Sequence, residues 1–424
     1  MGGKGHEDVA KGLSLLEGWG KSLLLDILAV PTISPEGLNY KELVELVKER
    51  LNGRGLRSDV HRVPDEVVRS KGPAEANGNP RYILISRYGK GRPVFHMNCH
   101  YDVVPGGPGW TETEPFKPVV RDGRVYARGA TDTKGGVVSA LMALVAFSEL
   151  KDAEGSVEVA LVPDEEVGGE CGTIYMLDTG LTKPDFSVVV EPSRKENLIV
   201  GHKGAVWVEV AMEGKAAHGS TPWLGVNAFE KMVVVAREVQ EKLKPLVESR
   251  VSAYGYDVPG GERATLLMGG VARAGEKINQ VPGTALFTID RRVLPEEDLK
   301  GAEDELLKFI EALGAKARVV NRLSPCVVSP SSPLASVISR SALLEFGFSP
   351  TPKVCTGGLD MGFYVSRGFE CVTYGPGELG LAHAPNEFVT LDDVYAFSRV
   401  FLRTAISLPQ TRKSGSVRPE GKHS

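Results

Sequence analysis

Five short segments of the 424-residue chain place a carboxylate or an imidazole just beyond an apolar run: His100-Tyr101-Asp102, Asp132 within Gly129-Ala130-Thr131-Asp132-Thr133-Lys134, Glu165-Glu166, Glu191 and His383. Two imidazoles with at least three carboxylates form a mixed nitrogen and oxygen donor set suited to zinc or a neighbouring divalent ion. The set is large enough for two ions that share a bridging carboxylate, and no other group of residues in the sequence offers this chemistry. Taken singly, each piece is ordinary. A histidine at a strand end is more often structural, and a Glu-Glu pair is usually solvated. The exception is Val162-Pro163-Asp164-Glu165-Glu166-Val167-Gly168-Gly169, where an apolar run leads straight into three acids and a glycine turn. Adjacent acids repel one another, so a local cation is expected there.

The elements that must position these groups can be read from the hydrophobic pattern. Runs rich in β-branched residues at 94–97, 157–162 and 188–190 precede His100, Asp164 and Glu191. Near-continuous apolar runs of that length suit strands buried on both faces. Between the first two, residues 135–150 carry Val137, Leu141, Leu144 and Val145 as a buried helix, and strand, helix, strand in this order predicts a mostly parallel sheet with helices on both faces. Ligands of such a sheet bind beyond the carboxyl ends of its strands, so the five segments are expected to converge on one crevice. Upstream, Leu43, Leu46, Val47 and Leu51 mark a helix that stops at Asn52-Gly53.

The texture changes near Ala205. Residues 207–213 partly alternate, 227–243 are amphipathic, 264–268 and 285–290 alternate again, and a helix over 296–313 precedes a strand at 317–320. Two helices covering one face of four strands make a small α+β domain. After the Pro/Ser-rich stretch 324–333 the α/β texture resumes, with a helix at 334–346, a strand at 370–374 and a last helix at 391–406. The expected organisation is an α/β catalytic domain in two parts, 1–204 and 323–410, interrupted by an inserted α+β lid and dimerisation domain at 205–322. Residues 411–424 are expected to be a disordered tail.

Composition narrows the function classes. Fifty basic residues against 54 acidic ones, a formal net charge of −4, give no polybasic surface for nucleic acid or membrane. With 42% hydrophobic and 25% charged residues the chain is neither disordered nor fibrous. Five dispersed cysteines without a CxxC pair suggest a reducing compartment. Residues 1–20 lack a basic stretch followed by an apolar core, so no signal peptide is expected, and the longest apolar run, 137–147, is short of the roughly 20 residues that span a bilayer. A cytoplasmic enzyme is the expectation. The other histidines, His6, His61, His96, His202 and His423, read as surface, tail or core residues, and Cys99 reads as core because neighbours on a strand face opposite ways.

In chain order, His100-x-Asp102, Gly129-Ala130-Thr131-Asp132-Thr133-Lys134-Gly135, Asp164-Glu165-Glu166-x-Gly168, Glu191, Gly214-x-x-Ala217-His218-Gly219-Ser220-x-Pro222-x-x-Gly225-x-Asn227-Ala228 and the late His383 resemble the M20 metallopeptidase family. Within it, the acetylornithine deacetylase and succinyl-diaminopimelate desuccinylase group looks most similar. The resemblance implies that His100 and Glu191 hold one metal, Glu166 and His383 the other, and that Asp132 bridges them. It implies that Asp102 orients His100, that Glu165 is the general base, and that the Asp132-Thr133 peptide is cis. It further implies that His218 reaches the active site from the partner subunit of a homodimer and stabilises the oxyanion. Asn279 and Arg292 match substrate-binding positions. Period-two alternation puts Arg291 and Arg292 on opposite faces, so only one should reach the substrate. Gly358, in Gly357-Gly358-Leu359-Asp360, matches a substrate-binding Gly-Gly turn, with Leu359 where a Thr or Ser is usual. The implied reaction is hydrolysis of the amide bond of an N-acyl amino acid with two divalent ions, zinc or cobalt. A carboxypeptidase or dipeptidase acting on short peptides is the alternative. A metal-dependent binding protein without catalysis is the second, and Asp102 and Glu165 weigh against it because neither is an expected ligand.

Overall fold

The chain is described from a computed structural model, which covers residues 12–76 and 78–414. It divides into two units: the described residues up to Val200 with Val328–Pro352 and those from Phe363 onward, and Gly201–Val327 with Lys353–Gly362. The first unit is built on a mixed sheet. Its strands β1 (Ser58–Arg62), β2 (Tyr82–Lys90), β3 (Val94–His100), β4 (Gly155–Val162), β5 (Phe186–Val189) and β6 (Asn197–His202), with the late strand Glu370–Thr373, run in the spatial order β1-β2-β4-β3-β5-(Glu370–Thr373)-β6.

The centre of this sheet is parallel. β3 pairs in parallel with β4 and β5, and Glu370–Thr373 with β5. Its flanks are antiparallel, β2 pairing with both β1 and β4. β3 is buried along its whole length. One of its faces sends Phe95, Met97 and Cys99 into the main apolar core. The other presents His96, Asn98 and His100 to polar partners. Asn98 bonds Thr173 at 3.0 Å, and His96 bonds Glu158 and the Tyr364 hydroxyl at 2.8 and 2.7 Å.

Helices α1 (Glu17–Leu28), α2 (Tyr40–Asn52) and α3 (Gly135–Ser148) bring leucines and valines to the same core. α2 stops at Gly53, as the Asn-Gly pair suggests, whereas α1 was not foreseen. α3 is apolar on every side and correspondingly buried on every side, the mark of a core helix.

In the second unit, β7 (Gly204–Glu213), β8 (Thr265–Ala274), β9 (Thr284–Val293) and β10 (Lys316–Leu323) form an antiparallel sheet in the order β8-β9-β7-β10. Helices α4 (Ala228–Glu238) and α5 (Leu299–Ala312) pack on one face. Ala285, Phe287, Ile289 and Val293 point into that apolar layer, and the alternate residues of β9 are only partly buried or exposed.

Two features differ from the expected division. The inserted unit begins at 201 and ends at 327, and it takes back residues 353–362, which the sequence texture assigned to the α/β part. That return is held by backbone bonds, Val354 N–H to Gly255 O at 2.9 Å and Asp257 N–H to Val354 O at 3.2 Å, which leave no trace in a hydrophobic pattern. After α6 (Pro333–Phe346), the last helix, α7 (Leu391–Ser414), continues past the predicted end at 406 and takes in 411–414; residues 415–424, like His6 and His423, lie outside the described residues.

Candidate metal centre

Three strand ends supply most of the site. His100 closes β3 and is paired in register with Val162 at the end of β4. From β4 the chain turns through Asp164, at φ 63°, into a short 3-10 turn that carries Glu165 and Glu166. Glu191 follows two residues after the end of β5. Asp132 lies in an irregular turn at the entrance of α3, with extended φ and ψ of −118° and 88°, and its peptide bond to Thr133 is cis. His383 comes from the loop before the short strand Phe388–Thr390.

These residues form two triads that share one member. His100 Nε2 lies 3.0 Å from Asp132 Oδ1 and 3.2 Å from Glu191 Oε1. His383 Nε2 lies 3.3 Å from Asp132 Oδ2 and 3.0 Å from Glu166 Oε2. Within each triad the ligand atoms lie within 4.8 Å of one another. A ring nitrogen carries one hydrogen and cannot serve two carboxylates well. Two carboxylates converging on each imidazole nitrogen, with the two oxygens of Asp132 facing different histidines, form a donor set that fits divalent cations.

The electrostatics agree. Asp132 and Glu166 hold the His383 imidazole up, to about 10. His100 is opposed by its burial, yet Glu191, Asp102 and Asp132 raise it well above its usual value. Burial and the charge of Asp132 raise Glu166, whereas Asp132, despite its own burial, is held below the usual carboxylate range by the two histidines. Protons on the imidazoles thus balance the clustered acids where a cation would otherwise do so, and cation binding must displace them.

Asp102 orients this site in two ways. Its backbone carbonyl accepts from His100 Nδ1 at 3.0 Å, with its carboxylate further off at 3.5 Å. The carboxylate instead accepts the backbone N–H groups of Glu165 and Glu166, both at 3.2 Å, and so pins the acidic turn. The third acid of that run differs from expectation. Asp164 does not face the cation set. It is buried against Arg81 Nε at 2.8 Å and the Tyr40 hydroxyl at 3.2 Å. The cation beside Asp164 is therefore a guanidinium, itself wholly buried and bonded to Pro35, Glu36 and Asn79 carbonyls. Burial and the neighbouring Asp102 still push Asp164 up to about 6.

Sequence reasoning missed Arg128 and Glu387, which form a buried ion pair with Nη1 to Oε2 at 2.6 Å. Glu387 lies four residues beyond His383, and Arg128 directly precedes Gly129. That closeness to motif residues was the available signal. Burial and Asp132 push the Glu387 carboxyl up to about 7, against the pull of backbone N–H groups and Arg128.

The sequence profile of peptidase family M20/M25/M40 matches residues 96–407, a span that holds every donor of both triads. The chain belongs to this family. It is 24% identical over 391 residues, 89% of this chain and 97% of the relative, to a succinyl-diaminopimelate desuccinylase of Nitratiruptor. It is 26% identical over 322 residues, 74% of this chain and 80% of the relative, to an acetylornithine deacetylase of Myxococcus xanthus. In fold it resembles the M20 family metallo-carboxypeptidase Sso-CP2 of Sulfolobus solfataricus, with a TM-score of 0.73 at 20% identity, covering 92% of this chain and 99% of that one. The protein is a hydrolase of the M20 type.

The remaining sequence-predicted residues of this M20 chain, His218, Asn279, Arg292 and Gly358, all lie in the second unit. His218 is exposed, and its Nδ1 accepts the Ser220 N–H at 3.1 Å, which leaves Nε2 as the protonated, donating nitrogen of the neutral ring. The ladder Ala217–His218 with Gln280–Val281 sets Asn279 beside it, Gly219 N–H donating to Asn279 O at 2.8 Å. The two arginines separate as alternation requires. Arg291 is wholly buried on the helix-covered face against Glu297 and Glu305. Arg292 faces the other way, paired with Asp290 at 3.0 Å and lying over Trp207. Gly358 packs where a Cβ would stand 2.2 Å from Leu323 Cδ2, so close packing gives it a role of its own.

Proposed function

We propose that this chain is a dinuclear-metal amidohydrolase that removes the acyl group from an N-acyl amino acid. The observation that carries this reading is the presentation of the two Asp132 oxygens to two different imidazoles, each backed by a further glutamate. His100 and Glu191 would hold one ion, Glu166 and His383 the other, with Asp132 between them. Two ions in such a site polarise the attacked carbonyl and make water a nucleophile at neutral pH. Zinc is the proposed ion, with cobalt as a functional substitute.

Glu165 takes the proton from the attacking water and passes it to the leaving amine, and the Asp102 carboxylate holds its turn in place. His218, with Nε2 free to donate, stabilises the oxyanion from the second copy of a homodimer. The exposed Trp223, Leu224, Val233 and Val234 of the second unit are in keeping with a subunit contact there. Arg292 and Asn279 take the substrate carboxylate. The five described cysteines are all buried free thiols, in keeping with a cytoplasmic setting.

The test is a turnover screen of N-acetyl and N-succinyl amino acids and a dipeptide panel, with chelated protein resupplied with zinc or cobalt. Chelation should abolish amide hydrolysis and either ion should restore it. Turnover confined to peptides would move the chain to the carboxypeptidase or dipeptidase reading. Glu165→Ala should retain metal and lose about a hundredfold or more in rate; hydrolysis by that variant at the parental rate would remove Glu165 as the base.

A further inference from the structure

Asp132 and His383 belong to segments about 250 residues apart in sequence, and both sit in backbone that regular structure does not hold. Asp132 has neither helical nor hydrogen-bonded strand partners inside its turn. His383 is at φ 62°, a left-handed conformation that a non-glycine residue keeps only when its surroundings impose it. The Arg128 and Glu387 side chains supply both constraints. Glu387 Oε1 accepts the N–H groups of Thr131 and Asp132 at 2.9 and 3.0 Å, and Oε2 accepts the Gly129 N–H at 3.1 Å. Arg128 Nη1 is bound to that same carboxylate and also donates to Ala384 O at 3.2 Å. Its Nη2 donates to His383 O and Gly106 O, both at 3.2 Å, and the guanidinium lies over the Trp110 ring.

Neither side chain offers an atom to either triad, so any effect on the site runs through the backbone. A buried ion pair is also a poor device for stability alone, since apolar residues of similar volume are often as good or better. What an apolar pair cannot do is bond the amides of one ligand-bearing turn and the carbonyls of another. We propose that Glu387 and Arg128 are positioning residues, a buried clamp that sets Asp132 and His383 at the separation a shared metal ligand requires. The clamp rests on the dinuclear reading given above. It acts on the Asp132 backbone through Glu387 and on the His383 backbone through Arg128, so it bears hardest on the triad Asp132, Glu166 and His383.

Three variants of the full chain test this: Glu387→Gln, Arg128→Lys, and the apolar double variant Glu387→Met with Arg128→Leu. Each is stripped with chelator and titrated calorimetrically with zinc, alongside thermal unfolding and hydrogen exchange of the peptide spanning 129–132. The parental chain should bind two zinc ions. Arg128→Lys should bind one with parental affinity and the other about 10- to 100-fold more weakly, and Glu387→Gln should weaken both through the shared Asp132. The double variant should unfold at or above the parental temperature yet lose the second zinc, a separation that a merely structural pair would not produce. If the double variant, folded, binds two zinc ions with parental affinity, the clamp is overturned. A parental chain that binds no zinc overturns the dinuclear reading instead, and the clamp is then decided by exchange: faster exchange of 129–132 in Glu387→Gln supports it, and unchanged exchange rejects it.

Discussion

At the scale of single residues, the shared position of Asp132 sets an order of effects. Asp132→Asn preserves shape but removes the charge that both triads use, so it should abolish uptake of both zinc ions. Glu191→Gln and Glu166→Gln should each weaken one site. Metal analysis after dialysis distinguishes the three, and an Asp132→Asn protein that still holds two ions contradicts the bridging assignment. The ligands were legible in sequence because they stand directly after the apolar runs that became β3, β4 and β5. Asp164 was misread because its partner is remote, Arg81 lying 83 residues earlier at the foot of a strand that the pattern did not disclose. Both side chains are at most 2% exposed. Removing the guanidinium leaves an uncompensated buried carboxylate, and Arg81→Met should therefore cost about 3–5 kcal/mol of unfolding free energy in a denaturant titration. Adding Asp164→Asn should recover part of that loss; no recovery would mean that packing, and not charge, sets the cost.

At the scale of elements, α3 carries the site from behind. Its apolar run was legible as a buried helix, although the run could not show how closely the helix start approaches the strand end that bears Glu191. Gly136, in the first turn, leaves no room for a methyl group: a Cβ there would lie 2.7 Å from Val190 Cγ1 and 3.2 Å from the Val190 carbonyl oxygen. Intrinsic propensity favours alanine over glycine within a helix by up to about 1 kcal/mol. Crowding against backbone should outweigh it, pushing the start of α3 and Asp132 away from Glu191. Gly136→Ala is thus expected to lower both thermal stability and zinc affinity, read by thermal unfolding and zinc titration. A gain in stability with unchanged affinity would show that the helix start has slack. Deeper in the same helix, Leu141 is fully buried in the main core, and Leu141→Ala should cost about 2–5 kcal/mol in a denaturant titration while leaving zinc stoichiometry intact in the folded fraction.

At the scale of the whole molecule, two separate apolar cores accompany the two units. Sequence texture disclosed the insertion because continuous apolar runs give way to alternating ones near Ala205, a change that follows from sheets covered on both faces and on one. The antiparallel flank formed by β1 and β2 and the return of residues 353–362 escaped that reading, since pairing partners and backbone bonds are not encoded in a local period. Every donor of both triads lies in the first unit, so bound metal stabilises that unit alone. At a free ion concentration a hundred times the dissociation constant, each site adds about 2.7 kcal/mol to the unit that holds it. Scanning calorimetry of chelated protein should show two transitions, one for each core. Zinc should raise the transition assigned to the first unit and leave the other where it is. Assignment can be made with a destabilising change in each core, Leu141→Ala in the first and Leu306→Ala in the second. A single transition that zinc shifts as a whole would show instead that the two cores unfold as one cooperative body, and that metal held by one is felt by both.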